Sequence, residues 1–227
     1  MKNLCIIPAR GGSKRIPRKN IKDFLGKPII AYSIEAALQS GCFDEVMVST
    51  NDTEIAEIAM QYGAKVPFMR SSETANDYAT TADVILEVLN NYKNQGFEFD
   101  TIACIYSTAP FVTAERIKEG YNMLSKDINS VFTCVQFSYP VQRGLHIVDG
   151  KITMVNPEYK NTRSQDLEPI YHDAGQFYIS TVKEFCDAKT LWGANTAGLI
   201  LSELEVQDLD TLTDWSIAEM KYKLLKG

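Results

Sequence analysis

A loop rich in positive charge follows the first apolar run of the chain. The stretch from Ile6 to Asn20 reads IIPARGGSKRIPRKN, and two adjacent glycines stand in its middle. Glycine lets a backbone approach a ligand closely, and consecutive N–H groups that point the same way can cradle an anion. The residues that could bind phosphate oxygens are Arg10, Gly11, Gly12, Ser13, Lys14 and Lys19. On residue chemistry alone this basic loop (residues 10–20) could equally be a solvated turn, because it matches neither GxxxxGK[ST] nor GxGxxG.

A second candidate group lies near the C-terminus. Asp208 and Asp210 are two residues apart, so in an extended segment both carboxylates would point to the same side. Such carboxylates repel each other unless a cation lies between them. Mg²⁺ suits the pair, because water and substrate phosphate complete its shell. The structural alternative is that Asp210 caps the final helix and Asp208 is solvated, since Asp is a preferred N-cap residue.

The two candidate groups carry opposite charge within an acidic chain. The 227 residues have a formal net charge of −6. Residues 1–27 contain eight basic residues and one acid, whereas residues 203–219 contain six acids and no base. The acidic balance argues against a nucleic-acid-binding domain. The segregation is compatible with a local triphosphate site that has cations on one side and a metal on the other.

The composition is that of an ordinary globular protein, 45% hydrophobic and 23% charged. The five cysteines are far apart, and most stand among apolar residues, which predicts buried reduced thiols rather than disulfides or metal ligands. No apolar run approaches the ~18 residues of a membrane span. The run Leu4–Ala9 is too short for a signal peptide. We therefore expect a cytoplasmic protein that does not enter the membrane.

Strand and helix patterns alternate through the first 137 residues. Apolar runs predict strands at residues 3–9, 44–50, 65–69, 101–106 and 131–137. Helical patterns fall at residues 28–40, 52–62, 80–92 and 114–124. This alternation predicts a three-layer α/β fold, with a mainly parallel sheet and helices on both faces. Ligands bind beyond the carboxyl ends of such strands, where the basic loop begins.

The alternation breaks at residues 139–172, called the excursion below. This segment contains the turn signals Asp149-Gly150 and Asn156-Pro157. Residues 145–148 and 151–155 could pair as a hairpin. The pattern resumes with strands at residues 176–180 and 197–201 and a helix from about 212 to 225. No stretch has the character of a linker, so we predict one domain, residues 1–227, with a small excursion.

The basic loop resembles the signature of the cytidylyltransferases that activate nine-carbon keto sugar acids, the CMP-sialic acid synthetase (acylneuraminate cytidylyltransferase) family. Further segments are similar to this family: Ser49–Asp52 with residues 54–56, Arg70 with Thr74-Ala75, Thr108–Pro110, and Asp208–Asp210 with Asp214-Trp215. The resemblance covers nearly the whole chain. It implies a fold of the nucleotide-diphospho-sugar transferase type.

Within the family, residues 161–178 (NTRSQDLEPIYHDAGQFY) resemble the branch that activates pseudaminic acid. Asn20 stands where the CMP-Kdo branch is expected to have Pro. The sialic-acid branch usually has Gln-Pro-Thr-Ser-Pro where this chain has Tyr106–Pro110 (YSTAP), and Asn-Gly where it has Ala174-Gly175. The resemblance therefore favours pseudaminic acid, with N-acetylneuraminic and legionaminic acids as alternatives.

The reaction implied by the resemblance is attack of the sugar's anomeric hydroxyl on the α-phosphate of CTP, with release of pyrophosphate. Arg10 and Lys19 would stabilise charge on the phosphates and leaving group, and amides of Gly11–Ser13 would hold the β- and γ-phosphates. Mg²⁺, or Mn²⁺ in its place, would bind Asp208 and Asp210, of which Asp210 is counted as catalytic. The implied cytidine contacts are Asn20, Arg70, Ala79 and Thr81. The alternative from another class is a noncatalytic nucleotide binder.

The carboxylate of the sugar acid needs a cation of its own. Arg163 is the first candidate and Arg143 the second, although either could be a rim or interface charge. The other sugar candidates are Tyr106, His172, Asp173, Gln176 and Tyr178. His172-Asp173 could equally be a structural pair, and Tyr on late strands is more often core. In the family the excursion pairs with its twin, so the resemblance also implies a homodimer.

Overall fold

The computed structural model describes residues 1–226 and is built around a six-stranded sheet. The strands are β1 (Asn3–Pro8), β2 (Asp23–Phe24), β3 (Lys27–Pro28), β4 (Glu45–Ser49), β5 (Thr101–Ile105), β6 (Ser130–Gln136), β7 (Leu145–Val148), β8 (Lys151–Met154), β9 (Tyr171–Thr181) and β10 (Thr196–Leu201). The helices are α1 (Ile29–Ser40), α2 (Thr53–Gln61), α3 (Ser72–Ala75), α4 (Thr81–Asn94), α5 (Ala114–Met123), α6 (Val182–Ala188) and α7 (Leu212–Lys226).

The central sheet has the order β10-β6-β9-β5-β1-β4. Strand β9 runs antiparallel to both of its neighbours, β5 and β6, and the other pairs are parallel. Side chains of β1 alternate between two cores. Cys5 and Ile7 pack with residues of α1 and α2, whereas Leu4 and Ile6 pack with residues of α4 and α6. Helices thus cover both faces, and the predicted three-layer, mainly parallel architecture is confirmed.

Capping residues define the helix ends that border the basic loop and its surroundings. Asp52 precedes α2 and accepts a hydrogen bond from the Ile55 amide at 3.1 Å. Thr80 precedes α4 and forms a reciprocal capping box with Asp83. Gly41 ends α1 with a φ of 63°, which glycine adopts without steric cost. These ends agree with the sequence pattern to within about two residues.

The sequence-based assignment is wrong in several places, and the short elements β2, β3 and α3 were not predicted. Lys65 makes only an isolated bridge to Met47, because Pro67 lacks the N–H that a longer ladder needs. Strand β9 begins at Tyr171, inside the predicted excursion, and its early part was missed because Gly175 (φ 62°) and a register shift against β6 interrupt the alternation. Helix α6 follows β9 directly and was not predicted.

The hairpin predicted within the excursion is confirmed. Strands β7 and β8 pair antiparallel around Asp149-Gly150. This hairpin exposes large apolar side chains: Leu145 (56%), Ile147 (70%), Val148 (65%) and Ile152 (63%). Apolar exposure of this extent on one small element is typical of a surface that contacts another molecule.

Two further expectations concern the burial of the cysteines and the presence of a membrane-spanning helix. All five cysteines are free, and Cys5, Cys104 and Cys134 are buried as predicted, whereas Cys42 is half-buried and Cys186 is exposed. Burial of all five thiols was therefore a wrong expectation. Within residues 1–226, no helix combines the length and the apolar character needed to cross a membrane.

Candidate active site

A cavity of about 490 Å³ opens beyond the carboxyl ends of β1 and β5. Pro8 at the end of β1 and Tyr106 just after β5 form part of its wall. The sequence-predicted residues that line it are Arg10, Ser13, Lys14, Lys19, Asn20, Arg70, Ala79, Thr81 and Tyr106. The structure thus brings together residues from three segments that are distant in the sequence, at the edge where ligands bind in parallel α/β sheets.

Gly11 and Gly12 lie outside the cavity lining. The Gly11 amide donates a hydrogen bond to the Asn51 side chain at 3.2 Å, so it is already satisfied within the protein. A Cβ at Gly11 would stand 2.6 Å from a carboxylate oxygen of Asp52, whereas one at Gly12 would meet open space. Glycine at position 11 is therefore required by close packing on the start of α2.

Arg18 anchors the basic loop to the same helix start. Its guanidinium donates to the two carboxylate oxygens of Asp52, at 2.5 and 3.0 Å, and also to Glu54. The bond from Arg18 is the main cause of the lowered pKa of Asp52. Arg18 itself has a φ of 55°, which costs a non-glycine residue some strain. Sequence reasoning gave Arg18 no role, although the matched charges of the two segments are visible in the sequence.

Asn20 closes the loop from inside. It is only 8% exposed, and its side-chain amide donates to the Arg10 carbonyl at 2.8 Å. Its side-chain oxygen lies 3.0 Å from the hydroxyl of Ser107, which is also 2.9 Å from the Pro8 carbonyl. Asn20 therefore shapes the loop on which Arg10 stands, a role that its predicted cytidine contact does not include.

Arg70 is a buried cation in the cavity wall. It is 8% exposed, and its guanidinium donates to the side chain of Ser49 at 3.0 Å and to the Ser49 carbonyl at 2.5 Å. Among residues 1–226 it makes no salt bridge. Burial lowers the pKa of Arg70 to about 10. A buried charge held by neutral partners favours an anionic ligand in this cavity.

Lys19 connects the cavity to the acidic segment Asp208–Asp210. Its ammonium donates to the Leu209 carbonyl at 2.7 Å. Burial lowers the pKa of Lys19, and the carboxylates of Asp210 and Asp208 act in the opposite direction. The segment predicted to bind metal therefore lies against the segment predicted to bind phosphate.

The structural alternative for Asp210, a helix cap, is wrong. Thr211 and Asp214 cap α7 instead: the Asp214 carboxylate accepts bonds from the Thr211 amide and hydroxyl at 2.7 and 2.8 Å. The Asp210 carboxylate forms a two-bond ion pair with Arg15, both contacts being 2.7 Å. Asp208 is exposed, as that alternative expected.

The acidic segment fits a metal that is shared with a ligand. Within the described part of the chain, no three His, Cys, Asp or Glu side chains lie close enough to hold an ion by themselves. Mg²⁺ is commonly held by one or two carboxylates together with substrate phosphates and water. Asp208 and Asp210 match that donor set, whereas they would not form a closed site of protein ligands alone.

Asp77 is a cavity residue that sequence reasoning missed. Its carboxylate accepts hydrogen bonds from Arg10 at 2.7 Å and from Lys14 at 2.5 Å. The bonds from Lys14 and Arg10 lower the pKa of Asp77. The contacts join positions more than 60 residues apart in the sequence, on opposite walls of the cavity, so no local pattern could have indicated them.

Three predicted sugar residues, Tyr106, Asp173 and Tyr178, lie close together, joined by one hydrogen bond and one ring contact. The Tyr178 hydroxyl donates to Asp173 at 2.5 Å, and the Tyr106 hydroxyl lies 3.4 Å from that of Thr81. The rings of Tyr106 and Tyr178 are 5.5 Å apart. Tyr178 is 4% exposed, and burial raises its pKa strongly. Tyr178 is thus an internal residue that orients Asp173, while Tyr106 reaches the cavity.

The remaining sugar candidates lie outside the cavity lining. Gln176 is 4% exposed and donates to the Glu205 carbonyl, so it holds the segment that leads to Asp208. His172 is exposed and packs against Phe137, with ring centroids 4.5 Å apart and the ring planes tilted by 49°. Arg163 forms an ion pair with Asp166, with contacts of 2.7 and 3.0 Å, and Arg143 lies 3.4 Å from the Ser164 hydroxyl.

Comparison with known proteins finds relatives that are similar to this chain in sequence and others that are similar in fold. The chain is 42% identical over 226 residues to a pseudaminic acid cytidylyltransferase of Campylobacter jejuni, covering 99% of this chain and 97% of that protein. It is 35% identical over 231 residues to the CMP-N,N'-diacetyllegionaminic acid synthase of Legionella pneumophila, with the same coverage. A solved CMP:2-keto-3-deoxy-manno-octonic acid synthetase complexed with CTP has a TM-score of 0.68 at 18% identity, covering 100% and 99%; this likeness concerns the fold alone.

A family profile gives the same result independently of any single relative. The profile described as cytidylyltransferase matches residues 4–188, a range that contains the basic loop, Arg70 and the strands that position them. The two sequence relatives align along nearly the whole chain and also include the acidic segment. We conclude that the chain belongs to the cytidylyltransferase family of nucleotidyltransferases.

Proposed function

We propose that the chain transfers CMP from CTP to the anomeric hydroxyl of a nine-carbon keto sugar acid, pseudaminic acid, and releases pyrophosphate. The observation that carries the proposal is the convergence of Arg10, Lys14, Lys19 and Arg70 on one cavity at the carboxyl edge of the sheet. A triphosphate brings about four negative charges, which this set of cations can offset.

The residues of the cavity would act by positioning and charge stabilisation. As the bond between the sugar oxygen and the α-phosphorus forms, the bond to the β-phosphate oxygen breaks and its electron pair leaves with pyrophosphate. Arg10 and Lys19 would offset the charge that develops on these oxygens, and such fixed donors are effective because they need no reorganisation during the reaction. Ala79 and Thr81, at the start of α4, would contact the cytidine together with Arg70.

We infer that Mg²⁺, or Mn²⁺ in its place, is held by Asp208 and Asp210. A divalent ion bound there would supply charge neutralisation to the phosphates and would favour loss of the hydroxyl proton. Lys19 supports this inference, because its bond to the Leu209 carbonyl keeps the two carboxylates next to the phosphate-binding loop. Arg15 would have to leave Asp210 when the ion binds.

The choice of pseudaminic acid rests on two arguments. The higher identity is to the Campylobacter enzyme named for that sugar, 42% against 35% for the legionaminic acid synthase. Residues 161–178 carry the resemblance to the same branch, and they include Asp173, which Tyr178 and the Gly175 amide hold in place. N-acetylneuraminic and legionaminic acids are the alternative substrates for the same chemistry.

We also infer a homodimer that forms through the excursion. The exposed apolar side chains of the β7–β8 hairpin would be covered by those of a second copy, in a symmetric contact. The reaction would take place in the cytoplasm, where CTP is available and where free cysteines stay reduced.

One assay tests the proposed reaction. The purified chain is incubated with Mg²⁺, one of the four nucleoside triphosphates and one of several keto sugar acids, and pyrophosphate release and the mass of the product are measured. We expect release only with CTP, and a kcat/KM for pseudaminic acid at least ~100-fold above that for N-acetylneuraminic acid, about 2.7 kcal/mol. CTP binding without pyrophosphate release for any sugar acid would instead indicate a noncatalytic nucleotide binder. A preference for N-acetylneuraminic acid would refute the choice of sugar alone.

A further inference from the structure

An acidic side chain stands within the cation cluster of the cavity. The Asp77 carboxylate contacts Arg10 through one oxygen at 2.7 Å and Lys14 through the other at 2.5 Å. Arg10 also donates to the neighbouring Asn76 carbonyl at 3.1 Å. Two of the five cations that line the cavity therefore share one carboxylate of the opposite wall.

The bonds of Asp77 do not shape its own loop. The turn between α3 and α4 is built by Asn76, whose side-chain oxygen accepts hydrogen bonds from the amides of Tyr78 and Ala79 at 2.7 and 2.9 Å. In the described part of the chain, the Asp77 carboxylate accepts bonds only from Arg10 and Lys14. The side chains involved are solvent-accessible, with 44% exposure for Asp77, 39% for Arg10 and 79% for Lys14. Exposed ion pairs of this kind add little to stability.

We propose that Asp77 is an internal counterion that occupies the place of the outer phosphates of the nucleotide and sets the affinity of the cavity for them. The proposal rests on the proposed function, because it takes Arg10 and Lys14 as phosphate ligands. A triphosphate must displace the carboxylate to reach both cations, and the carboxylate can return when pyrophosphate leaves. By pairing with Arg10 and Lys14, Asp77 thus lowers the affinity of the cavity both for CTP and for pyrophosphate. Pyrophosphate, the leaving group, is therefore released more readily.

The opposite role for Asp77 gives the opposite experimental result. If the carboxylate orients Arg10 and Lys14 for the ligand, its removal should weaken phosphate binding, because both side chains would lose their fixed positions. If it competes with phosphate, its removal should strengthen binding. Asp77→Asn keeps the shape of the side chain and removes its charge, so the sign of the change in affinity decides between the two roles.

The test measures binding of inorganic tripolyphosphate without metal, by isothermal titration calorimetry, to wild type, D77N and E73Q. Glu73 lies on α3, is exposed, and makes no bond to the basic loop among residues 1–226, so E73Q is a control for general loss of negative charge. We expect D77N to bind at least ~5-fold more tightly than wild type at low salt, a gain that shrinks at high salt because exposed charges are screened. E73Q should stay within ~2-fold of wild type, and D77A should change in the same direction as D77N.

Equal or weaker binding by D77N, or an equal gain in E73Q, would overturn the role of Asp77. A thermal melt of each variant verifies folding. Because the Asp77 side chain is exposed, its replacement should leave the melting temperature unchanged, and a lower melting temperature would reveal a folding defect. The tripolyphosphate measurement does not depend on the sugar or on turnover. Tighter binding by D77N together with no pyrophosphate release from CTP would therefore reject the proposed reaction and support the counterion role of Asp77. Pyrophosphate release together with unchanged binding by D77N would support the reaction and reject the counterion role. In an active enzyme, D77N should also be inhibited by pyrophosphate at least ~5-fold more strongly.

Discussion

Replacing Arg70 by Met should separate ligand binding from stability. Among residues 1–226 the buried guanidinium has only Ser49 as a hydrogen-bond partner, and burial lowers its pKa to about 10. At about 1.36 kcal/mol per pKa unit, burial disfavours the charged form by about 3 kcal/mol. Its two bonds to Ser49 come from a charged donor and contribute about 1.5 kcal/mol each, the lower end of the range for such bonds. The two effects nearly cancel, so R70M should change the free energy of unfolding by less than about 1.5 kcal/mol.

The same substitution should remove most of the affinity for CTP. A charge-assisted hydrogen bond is worth about 1.5–3 kcal/mol, so loss of the guanidinium should raise the Kd by about 10- to 150-fold. The assay is urea unfolding of the wild type and R70M, each with and without CTP and without added metal. Ligand at 100 times its Kd stabilises the folded state by about 2.7 kcal/mol, and at the same concentration R70M should gain less than about 1.5 kcal/mol.

Arg116 provides a matched control. It lies outside the cavity lining and forms an ion pair with Glu205 through two contacts of 2.9 and 3.0 Å. The hydrogen bonds that Arg116 donates to Glu205 and Glu119 raise its pKa, so its charge is stabilised by the fold. R116M should lose about 1–2 kcal/mol of stability and keep the full response to CTP. If R70M loses more than about 2 kcal/mol and still responds to CTP as wild type does, Arg70 is a structural residue and does not bind the nucleotide.

Three further predictions concern the acidic segment, its support and the excursion. D210N should lower pyrophosphate release by orders of magnitude with an unchanged melting temperature, and EDTA treatment of the wild type should have the same effect on activity. Addition of Mg²⁺ or Mn²⁺ should restore the activity of the treated wild type only. Full activity of D210N in metal-free buffer would exclude the metal role. The ion pair with Arg116 lowers the pKa of Glu205 from 4.5 to about 2, so its stabilisation is complete above about pH 4.5 and is lost as the pH falls through about 2. E205Q should therefore lose about 1–2 kcal/mol at neutral pH, after allowance for solvent screening, and converge with wild type in urea unfolding at about pH 2; a difference that does not change with pH would contradict this. If the chain forms the proposed dimer, I147D should convert it to a monomer in light scattering, whereas K151D, on an already polar exposed position of the same hairpin, should leave its mass unchanged.

Local patterns in the sequence account for most of the fold. Apolar runs of five to seven residues predict β1, β4, β5 and β6, because a strand covered on both faces needs no alternation. Asp52 and Gly41 predict helix ends because capping depends on neighbours within one turn. The wrong strand at residues 65–69 shows the limit of this reasoning, since Lys65 pairs once and Pro67 prevents a ladder.

Part of the candidate site can also be predicted from local sequence patterns. The basic loop is contiguous, so its ligand chemistry is visible in one segment, and the resemblance to the family added Arg70, Ala79 and Thr81. The contact between Asp77 and the loop, and that between Lys19 and Leu209, depend on how distant segments meet in the fold. The bonds of Gln176 and Tyr178 to Glu205 and Asp173 could not be foreseen for the same reason, because burial and partners are properties of the fold.

The distribution of ion pairs explains how an acidic protein can gather its cations in one loop. Arg10 and Lys14 pair with Asp77, Arg15 with Asp210, and Arg18 with Asp52 and Glu54. These pairs neutralise the exposed part of the loop, which would otherwise repel itself in the free protein. Lys19 and Arg70 differ: they are the cavity cations that form no salt bridge among residues 1–226, and burial lowers the pKa of each. Lys19 and Arg70 are already desolvated, and no carboxylate has to be displaced from them when an anion binds. These two cations should therefore contribute most to anion binding. The exposed cations should adjust the affinity, because the anion must first replace their carboxylate partners.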